Sequence, residues 1–209
     1  MLAAFKRPGL NSRARARLQK TVLLEFRALP YPPIRDHPNV VDLLDIGWET
    51  DPDDWKIKWP VLIMKYTDRG TLHDLFSGES LFSLQTKAKL CLDVVRGLGV
   101  LHDCGMIHGD LKMDNILVFS NPVAECATAN QFIAKLGDPG ASLAYVNGRS
   151  QVSYTRPWNA PEYLELLDHA NLKQTDIYSF SLLAWAVIID GKNPFTDLES
   201  VAAFLRPDS

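Results

Sequence analysis

The spacing of apolar residues changes several times along this chain, and each change predicts an element. In "RARLQKTVLLEFRAL" the residues Leu18, Val22, Leu23, Phe26 and Leu29 recur at helical spacing, and "PYPP" predicts a firm stop after them. "LAAFKRP", from Leu2 to Pro8, reads as a short strand ended by its proline. "HPNVVDLLDIGWE" and "WPVLIMKY" are β-branched or apolar runs bounded by turn residues, which predicts two strands. "DRGTLHDLF" turns and starts a helix. "LQTKAKLCLDVVRGLGVLHDCG" is a long helix with a stripe at Leu90, Cys91, Val94, Val95, Leu98 and Leu101. "NILVF" and "QFIAKL" follow as strands, and the stretch up to "WNAPEYL" is polar and irregular. "TDIYSFSLLAWAVIIDG", from Thr175 to Gly191, is apolar nearly all round, which predicts a buried core helix. It is shorter than the ~20 apolar residues that a bilayer requires, so no membrane span is expected.

Strands dominate the first third and helices the rest, with no internal repeat. The fold class is therefore α+β, in two lobes joined near Met64 to Arg69. Residues 1–64 form a partial small β-rich lobe, and residues 65–209 form the joint and a partial, mainly helical large lobe. The 209 residues are 46% hydrophobic, enough for a real core. The net charge of −3 lacks the basic excess of a nucleic-acid binder. Cys91, Cys104 and Cys126 are odd in number and irregular in spacing, which speaks against a disulfide framework and for a reducing, cytoplasmic setting. The stretch before Glu25 holds Lys6, Arg7, Arg13, Arg15, Arg17 and Lys20 and no acid, so a mitochondrial presequence is the alternative.

Chemistry concentrates in "HGDLKMDN", residues 108–115, between a helix and a strand. Asp110 has the character of a base for an attacking hydroxyl. Lys112 can neutralise charge on a transferred group, and Asn115 offers a carbonyl oxygen to a hard cation such as Mg²⁺. Asp138 in "LGDPG" follows a strand and precedes a proline and a glycine, so its carboxylate can serve as a second oxygen ligand. A base, a cation clamp and metal ligands are the parts that phosphoryl transfer needs. His102, Cys104 and His108 crowd together without zinc spacing and read as core residues. Trp48, Trp55, Trp59 and Trp185 read as core or loop anchors.

"HGDLKMDNILVF" resembles the catalytic loop of eukaryotic protein kinases, H-R-D-L-K-x-x-N. "LGDPG" stands where that family has D-F-G, "NAPEY" matches its A-P-E motif, and "DIYSFSLLAW" and "GKNPF" are similar to its core helix and the segment after it. "DHPNVVDLL" resembles the strand entry after the family's C helix, and all these matches come in the family's order. The resemblance implies a bilobal protein-kinase-like fold, ATP and Mg²⁺ as cofactors, and a protein substrate phosphorylated on Ser or Thr. It makes Lys6 in "LAAFKRP" the phosphate-binding lysine and Glu25 its partner. Met64 becomes the gatekeeper, the backbone of Lys65 and Thr67 the adenine-edge reader, and Leu117 the residue under the adenine face. Asp110, Lys112 and Asn115 are implied as catalytic, Asn115 and Asp138 as metal ligands, Thr155 as the wall beside Asp110, and Asp176 as an acceptor of loop N–H groups. Lys112 and Thr155 favour Ser/Thr over Tyr.

Four departures shape the expectation. Gly109 replaces an arginine that pairs with a phosphorylated activation loop, so activity independent of that phosphorylation is expected. Pro139 replaces the D-F-G phenylalanine, with a fixed φ and less volume. No G-x-G-x-x-G occurs, and by the family's order the strands that carry it would precede residue 1. The arginine that pairs with the family's A-P-E glutamate, here Glu162, has no evident counterpart. The alternative to an active kinase is thus a pseudokinase or interaction module with weak or no turnover, or a non-functional fragment.

Overall fold

The computed structural model describes residues 3–6, 29–51, 55–56, 58–78, 81–123, 131–137, 155, 157–161 and 169–195, with backbone alone for 5, 6, 169 and 170. Strand β1 (Ala3–Lys6) is followed by a single helical turn α1 (Pro32–Arg35), then β2 (Leu43–Thr50) and β3 (Lys58–Lys65). Helices α2 (Leu72–Ser77) and α3 (Leu84–Asp103) lead to strands β4 (Ile116–Ser120) and β5 (Phe132–Leu136), and α4 (His169–Ile188) comes last. The first three strands form an antiparallel sheet of order β1-β3-β2, with Ala4 opposite Met64 and Lys6 opposite Leu62. β4 and β5 form a second, antiparallel pair, with Leu117 opposite Lys135. A small sheet beside a mainly helical part with its own ribbon is the bilobal α+β arrangement that the sequence implies.

Local chemistry explains most of the boundaries. Thr71 starts α2 as a capping box: its hydroxyl accepts the Asp74 N–H, and the Asp74 carboxylate accepts the Thr71 N–H. Those hydrogen bonds hold the Asp74 carboxyl below the usual carboxylate range. Ser83 caps α3 through the Thr86 N–H. The far end of α3 closes at Gly105, whose φ of +72° is open to glycine, while the Met106 N–H donates to Leu101 O at 2.9 Å. That turn aims the chain into residues 106–111.

One hydrophobic cluster joins both sheets to both long helices: Leu62 of the first sheet, Leu90, Val94 and Leu101 of α3, Ile116 and Leu136 of the second sheet, and Leu183 of α4 are all completely buried. Phe76, Phe82 and Phe132 stack edge to face, at 5.3 and 5.8 Å between centroids, and seal α2 against β5.

The structure departs from the sequence-based expectation in four places. "PYPP" does more than stop a helix, because Pro32 and Pro33 open the turn α1, where a fixed φ suits the first positions and no N–H is needed. The expected strand from His37 begins only at Leu43, since residues 39–41 instead lie along β5. Trp48 and Trp55 are exposed, at 62% and 75%, because they sit toward the turn end of the β2–β3 hairpin, beyond the core. The helix with the apolar run starts at His169 and is not buried all round: Ile177, Trp185 and Ile188 are 46%, 45% and 55% exposed. The predicted helix through Val22 lies outside the described residues.

Candidate active site

The loop after α3 is shaped by a helix that comes much later in the sequence. Asp176 of α4 is buried, with its side chain only 1% exposed. Its Oδ2 accepts the His108 N–H and its Oδ1 the Gly109 N–H, each at 2.8 Å. His102 Nε2 donates to Oδ2 from the end of α3, also at 2.8 Å. Gly109 has a φ of +74°, the left-handed region where a side chain is strained, so a glycine there removes a cost that other residues carry. His108 is completely buried and its Nε2 lies 3.2 Å from Gly137 O. The expectations that Asp176 accepts loop N–H groups and that His108 packs inside both hold. Among the described residues no group of three or more His, Cys, Asp or Glu is placed to hold a metal ion.

Once the backbone is set, the side chains converge. Asp110 Oδ1 accepts the Thr155 hydroxyl at 2.7 Å. Its Oδ2 accepts Lys112 Nζ at 2.9 Å and Asn115 Nδ2 at 3.1 Å. The same Asn115 nitrogen donates to Asp110 O at 2.7 Å. Lys112 Nζ also lies 3.4 Å from the Thr155 hydroxyl. Thr155 is held in turn by its N–H on the Asn159 side-chain oxygen. Asp110 and Lys112 are 19% and 20% exposed, so the carboxylate is oriented by protein donors yet reachable. Because the Asn115 nitrogen faces Asp110, its carbonyl oxygen faces away, and that oxygen is the atom a hard cation takes. The Gly137 N–H donates to Asn115 O at 2.8 Å, which ties the end of β5 to Asn115. The Asp138 carboxylate lies outside the described residues.

The segment after β3 is laid onto β4. The Thr67 hydroxyl donates to Val118 O, the Val118 N–H donates to Gly70 O at 2.9 Å, and Thr71 bridges Leu117. Met64 and Leu117 are both partly buried against the common core, on either side of this segment. The Lys65 N–H is committed to Asp42 O at 2.9 Å. Lys6 is placed by its backbone on β1, opposite Leu62, and its side chain is not described. Glu25, Pro139 and Glu162 lie outside the described residues. The sequence reading missed Asp42 and Lys135, which pair at 2.8 Å behind this segment. An aspartate before a strand and a lysine within one carry no local signal, and only the pairing makes them visible.

The arrangement is thus a carboxylate held by a lysine, a threonine and an amide, on a loop hung from a buried aspartate. The chain belongs to the protein kinase domain family, which matches residues 4–206. It is 31% identical over 140 residues to human receptor-interacting serine/threonine-protein kinase 1, covering 64% of this chain and 21% of that protein. A Dictyostelium discoideum protein described as a probable serine/threonine-protein kinase is 29% identical over 172 residues, 81% of this chain and 10% of its own length. The chicken proto-oncogene tyrosine-protein kinase ROS is 25% identical over 178 residues, 79% of this chain and 7% of that relative. The chain thus spans a minor part of the relatives it matches. Kinase domains generally use ATP and a divalent metal and act on a protein. No helix among the described residues is long and apolar enough to cross a membrane.

Proposed function

We propose that this chain binds ATP with Mg²⁺ and passes the γ-phosphate to a Ser or Thr hydroxyl of a protein. The observation that carries the proposal is the Asp110 carboxylate, fixed by Thr155 at 2.7 Å, Lys112 at 2.9 Å and Asn115 at 3.1 Å. Bound Mg-ATP supplies the transferable phosphoryl group, with its charge partly neutralised by the metal. Asp110 orients the incoming hydroxyl and takes its proton. Lys112, beside the same carboxylate, faces the charge on the group in flight. Asn115 and Asp138 hold the metal, Lys6 holds the phosphates with Glu25 as its ion-pair partner, and Met64, Lys65, Thr67 and Leu117 hold the base. Lys112 and Thr155 support a Ser/Thr preference, as do the names of two of the relatives, while ROS bears a tyrosine-kinase name.

The test is Mg-ATP-dependent phosphorylation of a peptide library, with the modified residue type identified. Asp110→Ala should lower the rate about 10²- to 10⁴-fold, the usual contribution of a positioned base. Labelling that survives Asp110→Ala, or that falls on tyrosine, overturns the assignment. Pro139, where the family has phenylalanine, favours a second reading: a kinase fold that serves as an interaction module. A thermal-unfolding midpoint unmoved by saturating Mg-ATP would select it, since a ligand that binds only the folded state must stabilise that state.

A further inference from the structure

The stretch between α1 and β2 passes from one sheet to the other, and Asp42 stands at the crossing. Its first residues lie along β5. The Leu136 N–H donates to Asn39 O at 2.8 Å, and the Val41 N–H donates to Leu136 O at 2.9 Å. The Asn39 side-chain amide adds a bond to Ala134 O at 3.0 Å. One residue later the backbone turns to the first sheet, where Asp42 O accepts the Lys65 N–H at 2.9 Å. The Asp42 side chain repeats this double attachment. Its Oδ1 takes Lys135 Nζ of β5 at 2.8 Å, and its Oδ2 lies 3.7 Å from Lys65 Nζ at the end of β3. Both ammonium groups stand over one Phe119 ring, 5.6 and 5.7 Å from its centroid. Lys135 is 11% exposed and Asp42 33%, so solvent screens this pair less than it screens the half-exposed Lys65.

The two elements held this way are the two ends of the nucleotide site. β3 runs into the segment that reads the base, and β5 runs through Gly137 into Asp138. We propose that Asp42 is a positioning residue which, through Lys135 and Lys65, sets the spacing between the base-reading segment and the metal-binding end of β5. The proposal rests on the nucleotide reading above. The backbone bonds of residues 39–42 hold the fold in any side-chain variant, and the carboxylate adds a fixed distance. A ligand that touches both ends feels that distance. A ligand that touches one end does not.

The experiment compares adenosine with Mg-ATP by calorimetric titration of the full chain, in the wild type, Asp42→Asn, Lys135→Met and the double variant. Each single variant should weaken Mg-ATP about fivefold or more and leave adenosine within about twofold, as loss of relative positioning costs only a two-ended ligand. The double variant should be no weaker than the worse single one, since both remove the same pair. Equal loss for the two ligands, no loss for either, or additive losses in the double variant would each overturn the proposal. A wild type that binds neither ligand overturns the nucleotide reading and this inference with it. A wild type that binds both, with variants unchanged, overturns this inference alone. Should Asp42→Asn prove insoluble, Lys135→Met carries the comparison, because it breaks the pair and spares every backbone bond of Asp42.

Discussion

Asp176 and Asp42 are both acidic side chains with several partners, and they do opposite kinds of work. Asp176, 1% exposed, has its charge answered by two backbone N–H groups and an imidazole nitrogen. Those donors are directional and belong to consecutive residues, so satisfying them dictates the dihedral shape of the loop that presents Asp110. Asp42, 33% exposed, is answered by ammonium groups from two different strands. An ammonium on a long stem imposes little direction but does impose a distance. The difference follows from depth. A buried carboxylate must have its lone pairs filled by fixed donors, while a half-exposed one can share its cations with water.

The contrast breaks most sharply at Asp176→Ala. That change strands two buried N–H groups, and each costs about 1–3 kcal/mol. Unfolding in urea should show a loss of about 3 kcal/mol or more, with Asp176→Asn milder because an amide oxygen still accepts one bond. Asp42→Asn should cost under about 1 kcal/mol, in line with ion pairs that water reaches. Equal losses at the two positions would mean that depth does not separate them.

Gly109→Ala sharpens the same contrast without touching either carboxylate. The Gly109 N–H keeps its bond to Asp176 at 2.8 Å, but the φ of +74° now carries a Cβ. The expected loss is about 1–2 kcal/mol, the cost of a left-handed L-residue. A loss well below that in the urea midpoint would show that the loop relaxes its φ, and that Asp176 fixes its shape less firmly than the distances imply.

These positions also divide by how visible they are in the sequence. Asp110, Lys112 and Asn115 stand within one short segment, so their joint chemistry can be read directly. The elements around them, α3 with its stripe and the strands on either side, follow from periodicity and caps. Asp176 was legible only through the family's motif order, since nothing in "TDIYSF" says that its carboxylate meets residue 108. Asp42 and Lys135 were not legible at all. Their partnership spans 93 positions and depends on residues 39–41 leaving the predicted strand to lie along β5. That detour is a tertiary override: the β-branched and apolar residues of "NVVDLL" suit a strand, but β5 offers Val41 and Asn39 backbone partners first. The exposed Trp48 has the same cause in reverse, as the hairpin runs on past the core that its apolar residues imply.

His37 supplies the smallest effect and the finest probe of the region around Asp42. Burial depresses its pKa below the ordinary value, and the nearby Lys135 and Arg96 depress it further. Its Nδ1 accepts the Asn39 N–H at 3.2 Å, which a protonated ring cannot do. The folded chain therefore resists a proton that the unfolded chain accepts. Stability is intact above the ordinary histidine pKa of about 6.5 and falls as the pH drops below it, levelling off only once the folded-state pKa is passed. His37→Gln should flatten that part of the acid dependence, read as a smaller drop in unfolding midpoint between pH 7 and pH 5.5. Lys135→Met should do part of the same by removing one of the two cations, and NMR titration of the His37 ring should then move toward the ordinary value. If the ring titrates unchanged in Lys135→Met, the ammonium is held on Asp42 so tightly that its charge is already neutralised there. The pair at 2.8 Å would then be stronger than its exposure suggests.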